Sequence, residues 1–446
     1  MITKTAPKKC LYVTGAHVVD PSQKWNGAGE LLVENGKIAA LGKPGSLRAK
    51  AKNLKAEAFN ANGLFLAPGF VDLHCRIHEP GSEHIESFAT GSLSAAAGGF
   101  TTLLIQPVSE PVHDNAFMTD FICRRAKEHS AVRIILMGAL SGAREGKKLA
   151  EIGSMAAAGA RAIGDSAAVE NTYLMRKALE YVRAFALPIF SFPEDRALTG
   201  QGVMNEGWNS NRLGLRGIPT AAEEIIVARD LVLLRHTRSR LHFQSISTAG
   251  SLRALRLAKE DGLAVTAETN PAYFSLTSDA IATYDANFKC FPPLRSQEDV
   301  EALVVALKDG TIDCIASAHS PQTRASKEQA FEHAGSGMIA LETTLPLTLE
   351  LVKQKKISPT RMVELLSLAP AKILGLEKEV GSLKLGCNAD FVLFDPREKF
   401  IFSERHVHSA SKNSPFLGQK MQGMVKFTFV GGSPVYEWST NRKESK

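Results

Sequence analysis

His406 and His408 stand two residues apart in a β-rich stretch. That spacing puts two imidazoles on one side of a strand, where they could bind a metal, although an exposed pair is the simpler expectation. Ser245 and Ser247 are hydroxyl candidates for nucleophilic chemistry. No G-x-S-x-G elbow surrounds them, so they are not expected to act as nucleophiles. Six cysteines, Cys10, Cys75, Cys123, Cys290, Cys314 and Cys387, lie far apart with no CxxC pair. That argues against a zinc ribbon or a disulfide framework and fits a reducing compartment.

Residues that do chemistry need elements to hold them. The middle of the chain alternates short apolar strands with amphipathic helices, the pattern of a parallel sheet. Eight strands are expected: Phe70–Arg76, Thr101–Gln106, Val132–Met137, Ala160–Ile163, Pro188–Phe192, Leu241–Ser245, Ala264–Glu268 and Cys314–Ala318. Between them, Leu174, Met175, Ala178, Leu179 and Val182 recur at helical spacing, as do Ile225, Ile226, Ala228, Leu231 and Leu234. Eight βα units over about 250 residues is the count of a closed (β/α)8 barrel. An open dinucleotide-binding sheet lacks its G-x-G-x-x-G after the first strand. In such a barrel, chemistry belongs at the C-terminal strand ends.

Both termini read as β structure. The N-terminal part carries a hairpin turn signal at Glu34 to Lys37, and the C-terminal part has strands near Asp390 and Val425. The expected organisation is a composite β-sandwich from residues 1–66 and 379–446, around a barrel spanning 67–378. The 446 residues carry a formal charge of +7. Basic residues are scattered, densest from Lys4 to Lys9, Arg144 to Lys148 and Arg442 to Lys446. Scatter of that kind argues against nucleic-acid binding. No apolar run is long enough to span a membrane, and the N-terminus has no signal-peptide core, so a cytoplasmic location is expected.

The stretch PGFVDLHCRIHEPG, from Pro68 to Gly81, resembles the dihydroorotase signature PGFxDxHxHxREPG. Further pieces in the same order extend the resemblance: Gly98 to Thr102, Val203 to Gly207, Arg212 to Leu215, Gly217 to Glu224, Ser247 to Gly250, Pro292 to Arg295, Leu341 to Thr343, Ala389 to Pro396 and Lys412 to Phe416. Coverage is nearly the whole chain. Allantoinases and dihydropyrimidinases share the superfamily.

The resemblance implies an amidohydrolase-type barrel in which a zinc-bound hydroxide attacks an amide carbonyl. It also implies an aspartate shuttling the proton, and an arginine with an asparagine gripping the substrate carboxylate. Position by position, this chain departs. The metal-site positions carry His74, Arg76, Asp165, Phe192 and Ser245, so only His74 and Asp165 remain as ligands. Ser166 stands beside Asp165 where a second aspartate is usual. The proton-shuttling position is Ala318, within Ala318-His319-Ser320-Pro321-Gln322. The substrate-grip positions carry His78, Val108 and Phe291. Arg76 is a cation that cannot ligate zinc, and one expectation is that it pairs with Asp165 in place of the metal's charge. His74 and His319 are expected as hydrogen-bonded structural histidines. His242, on the opposite side of its strand from Ser245, is expected to pack, and Glu194 and Asp195 to be structural.

These substitutions point to a fold kept while its chemistry is lost: no catalytic residue, no metal and no cofactor. By resemblance, the expected role is a non-catalytic dihydroorotase homologue in pyrimidine biosynthesis, oligomeric and docked on aspartate transcarbamoylase. Two alternatives stand beside it. One is a zinc-dependent cyclic amidohydrolase, of dihydroorotase or allantoinase type, with a site rearranged around His74, His78, Asp165 and His319. The other is a binder of a pyrimidine-related anion through Arg76 and His78, without turnover.

Overall fold

The eight expected apolar segments form eight parallel strands in the computed structural model, which describes residues 10–439. They are β1 (Phe70–Cys75), β2 (Phe100–Ile105), β3 (Arg133–Gly138), β4 (Ala162–Ile163), β5 (Ile189–Ser191), β6 (Leu241–Phe243), β7 (Val265–Thr269) and β8 (Cys314–Ile315). Neighbours in sequence are neighbours in the sheet, from β1 through to β8. Nearly every strand residue is buried, because helices cover the outer face and side chains fill the interior. The ring closes where Cys75 bridges His319 and the Arg76 N–H donates to the His319 carbonyl at 3.0 Å.

A helix follows each strand. Ser87 and Thr90 form a capping box at the start of Phe88–Ala97, and Asn171 caps Thr172–Val182 by accepting from the Leu174 N–H. The latter helix buries Leu174, Met175, Ala178, Leu179 and Val182. In Ala221–Thr237 the buried face is rotated from the expected one. It runs through Ala222, Ile226, Asp230 and Leu234, and Ile225 is 49% exposed. The sequence pattern misleads there because the fully buried Asp230 is polar. Its carboxylate accepts from Ser191 Oγ at 2.6 Å and from Arg229.

The interior of the barrel is a cluster including Val71, Leu73, Leu104, Met137, Phe190 and Cys314, continuous with Ala371, Leu374 and Leu376. The segment that supplies these last three seals the N-terminal end. Ser367 Oγ donates to the Pro68 carbonyl, and Arg240 Nη2 donates to the Ile373 carbonyl. One end of the barrel is therefore closed by packing.

A second sheet joins both termini. Its order is Ser433–Glu437, Lys420–Val430, Phe391–Ile401, Phe65–Pro68, Cys10–Asp20, Trp25–Glu34 and Lys37–Gly42. The hairpin at Asn35 and Gly36 has φ of 51° and 76°, both in the left-handed region that an Asn-Gly turn favours. Phe391 and Phe429 stack at 4.4 Å within this sheet's own core. Arg133 of β3 ties the sheet to the barrel through Asp390, at 2.6 and 3.2 Å. After Phe391–Ile401 the chain returns to the barrel, where Asn413 Nδ2 donates to the carbonyls of Ser320 and Gly337. No helix among the described residues is long and apolar enough to cross a membrane. The basic stretches Lys4 to Lys9 and Arg442 to Lys446 lie outside the described residues.

Candidate functional site

At the open end, the strand tips enclose a cavity of about 350 Å³. His74 and Arg76 reach it from the end of β1, Arg144 from the loop after β3, Phe192 from just past β5, Phe291 from the loop after β7, and Ala318 from just past β8. Ser166, Ser245 and Ala318 lie just past strand tips with φ of 52°, 53° and 53°, and all three line the cavity. That conformation costs a residue with a Cβ about 1–2 kcal/mol. It ends the strand alternation at each tip and turns the chain around the mouth.

Beneath the mouth runs a buried polar chain. Glu268 on β7 faces His74 Nδ1 through Oε1 at 2.7 Å and His242 Nε2 through Oε2 at 3.2 Å. His242 Nδ1 meets Thr266 Oγ1 at 2.9 Å. Burial alone would push the Glu268 carboxyl up, but the hydrogen bonds from His242 and His74 outweigh it and hold the group at about 2. His242 is therefore more than packing. The regular strand stops at Phe243, and Ser245 turns back so that its Oγ lies 3.3 Å from His74 Nδ1. His242 and Ser245 thus belong to one network, although simple alternation puts them on opposite faces.

Asp165 follows β4. Its carboxylate accepts from the Leu140 and Ser141 N–H groups at 2.8 and 3.0 Å and from Ser141 Oγ at 2.5 Å. Burial raises its pKa even so. The expected pairing with Arg76 is not made, because these local donors occupy the carboxylate. Arg76 Nη2 makes a long 3.5 Å contact with the Ser166 carbonyl, and its Nε is buried without a partner. Burial and the nearby Arg144 lower the Arg76 guanidinium to about 10. Arg144 itself donates from Nε to the Asp165 carbonyl at 2.7 Å.

His78 donates its backbone N–H to the Glu86 carbonyl at 3.1 Å, and its Nδ1 is buried without a partner. Burial and Arg76 lower its imidazole to about 4. Phe291 stacks on Phe192, with centroids 5.9 Å apart, and Phe192 meets His74 edge-on. Val108 sits in a turn closed by its N–H to the Gln106 carbonyl and is not part of the cavity wall. His319 is fully buried. Its Nε2 faces Glu86 Oε2 at 3.2 Å, and its Nδ1 accepts the Ala340 N–H.

Asp195 caps the short helix Arg196–Thr199, whereas Glu194 lines the cavity, where burial pushes its carboxyl up. His406 and His408 are not an exposed pair. His406 is buried and stacked on Trp438 at 4.9 Å, and the His408 side chain is 3% exposed. A short helical turn at Glu404–His406 replaces the strand that would have aligned them. Sequence reasoning missed Arg144, hidden in a basic run read as surface charge. It also missed Glu268, although an acidic residue inside an otherwise apolar strand is the signal of a buried partnered charge.

The mouth does not fit a catalytic zinc ion of the kind the resemblance implies. Arg76 and Phe192 supply no ligand, which leaves His74, through its Nε2, and Asp165, fewer than the about three protein donors a catalytic zinc takes. One layer deeper the donor chemistry changes. His242, Glu268 and Cys314, all buried, place one ligand atom each within 4.8 Å of one another. Imidazole, carboxylate and cysteine sulfur are zinc donors; burial pushes the Cys314 thiol well up, so an ion would bind there by displacing its proton, and would supply Lewis acidity.

A closed parallel barrel with a polar cavity at its strand tips, joined to a sheet from both termini, is the architecture of an amidohydrolase. A dihydro-orotase-like family profile matches residues 63–251, and an amidohydrolase family profile matches 224–435. The dihydroorotase of Geotalea daltonii is 44% identical over 96% of this chain and 99% of its own length. That of Geobacter metallireducens is 42% identical over the same shares. The L-hydantoinase (dihydropyrimidinase) of Arthrobacter aurescens superposes with a TM-score of 0.85, at 26% identity over 96% of each chain. The chain belongs to the dihydroorotase family of amidohydrolases.

That membership, with the buried His242–Glu268–Cys314 group, corrects the expectation that the protein takes no cofactor. Loss of the mouth ligands does not remove every metal donor from the barrel. The deeper donors are not visible as a sequence motif, because they come from three separate strands.

Proposed function

We propose that this protein is a non-catalytic dihydroorotase homologue of pyrimidine biosynthesis that serves as an assembly subunit for aspartate transcarbamoylase. Ala318 carries the reading. At the cavity wall, where the family's proton-shuttling aspartate is expected, this chain offers a methyl group. A methyl group neither takes a proton from an attacking water nor returns one to a leaving amide. The replacements at Arg76, Phe192, Ser245, His78 and Phe291 support the same reading. The barrel around them keeps its caps, closure and core, as a protein retained for binding would. The test is to mix the purified chain with the transcarbamoylase of the same organism. Co-elution in a defined oligomer is expected, and failure to co-elute at any protein concentration refutes the role.

A second reading is a metal-dependent cyclic amidohydrolase with a rebuilt site. The His242–Glu268–Cys314 group favours it. Dihydroorotate turnover that rises with added zinc and is lost in a Cys314→Ser variant would select it over the first.

A further inference from the structure

The helix Gln297–Asp309, between β7 and β8, is apolar on more than one side. Val300, Leu303, Ala306 and Leu307 are buried. Val304 is only partly buried, and Val305 is 55% exposed. A barrel helix needs one apolar stripe, so the fold does not account for the second. That second face walls a surface groove of about 1060 Å³. Leu347 and Leu351 of the helix Leu341–Lys353, with Met421 of the terminal sheet, continue its apolar floor. A neighbouring groove of about 750 Å³ shares Leu347 and Met421 and runs on to Phe400 and to Ile401, which is 55% exposed. Continuous grooves of this size exceed what a small molecule fills, about 300–1,000 Å³.

The rim is basic. Lys308, Lys355, Lys356 and Lys420 line the first groove, and Lys353 and Lys399 the second. Two carboxylates stand among these lysines, and both are engaged: Glu350 with Lys353 at 3.0 Å, and Glu301 with Gln297 at 2.9 Å. The cations rise from two helices, the turn after the second of them, and two strands, so they are spread around the floor. A fatty acid carries one carboxylate at one end and would leave most of them unmet. The chain's own ends outside the described residues are themselves basic, with Lys4, Lys8 and Lys9 at one and Arg442, Lys443 and Lys446 at the other. A two-fold contact between copies needs a patch that matches itself, and two lysine rims repel.

We propose that this groove docks an amphipathic helix of a partner protein, one whose apolar stripe is flanked by aspartates and glutamates. The stripe lies on Val304, Val305, Leu347 and Met421, and the flanking carboxylates meet the lysine rim. Such docking depends neither on turnover at the mouth nor on the partner being a transcarbamoylase.

The test is fluorescence anisotropy on the full chain with a labelled, hydrocarbon-stapled helix of roughly 18 residues that carries one leucine stripe between glutamates. It is expected to bind one to one, and to weaken about tenfold or more between about 0.05 and 0.5 M salt as the rim is screened. A copy with lysines for the glutamates, and one with the leucines scattered around the helix, are each expected to bind about tenfold or more weaker. Val305→Glu and the double change Lys355→Glu/Lys356→Glu are each expected to weaken the peptide about tenfold or more. Leu385→Glu, at an exposed position outside the groove, is expected to leave binding unchanged. Circular dichroism checks the folding of each variant. Should the double variant not fold, Val305→Glu and the salt dependence still decide. No peptide binding, equal binding of the lysine copy, or displacement of the peptide by an equal concentration of laurate would overturn the proposal. So would self-association of the chain that Val305→Glu abolishes, since a second copy would then cover the groove. None of these results bears on co-elution with a transcarbamoylase, so the two readings fail separately.

Discussion

Glu268 Oε1 and His74 Nδ1 lie 2.7 Å apart inside the barrel, both almost wholly buried. Through this contact, the one histidine that survives from the expected first-strand ligand pair is turned toward a carboxylate on β7, which also holds His242. Removing the carboxylate would strand two buried imidazoles. Glu268→Ala is expected to destabilise the fold by about 2–5 kcal/mol, because two buried imidazoles lose their hydrogen-bond partner. Glu268→Gln, which keeps hydrogen-bonding capacity, is expected to cost less. Urea denaturation midpoints of the two variants check the order, and equal losses would contradict it.

Acid should weaken the fold through histidine as well. Burial lowers the His113 imidazole to about 4, from an ordinary value of 6.5. The unfolded chain therefore binds more protons between those values. The stability His113 contributes is complete above pH 6.5 and is lost as pH falls toward 4. His113→Gln can still bond Thr119, which His113 Nε2 meets at 2.7 Å. The expected result is a shallower loss of stability for the variant over pH 6.5 to 4, by on the order of 1–3 kcal/mol. Parallel curves would contradict the assignment.

The strands, and the class of fold, were legible from sequence because each is short, apolar and followed by a helix with a regular face. The mouth was legible only as a set of replacements. Motif positions say that Arg76 stands in for a ligand and Ala318 for an aspartate, since such positions are local in sequence. They do not say where a long side chain goes. Arg76 was expected on Asp165, but Asp165 found nearer donors in Leu140 and Ser141. His242 and Ser245 were separated by strand alternation, which the positive φ of Ser245 breaks. Glu268 and Cys314 meet His242 only through barrel closure.

The deeper donor group makes a spectroscopic prediction. Cobalt(II) added to the protein is expected to give a thiolate-to-metal absorption band from Cys314, and Cys314→Ser is expected to abolish it. A band of equal strength in the variant would show that another cysteine is the ligand.

Asp390 holds the terminal sheet to the barrel. It is buried, takes Arg133 in a fork, and accepts the Gly431 N–H at 2.7 Å. Asp390→Ala is expected to cost about 2–4 kcal/mol, because a guanidinium and a backbone donor lose their acceptor. Thermal melts check it, and a change within error would show that the sheet is held by apolar packing alone.

The proposed non-catalytic role requires that this barrel leave the dihydroorotate ring closed. The direct measurement is the rate of dihydroorotate hydrolysis by the purified protein with zinc supplied, against a protein-free blank. The account predicts a rate equal to the blank. Turnover above the blank that disappears in a His74→Ala variant would contradict it.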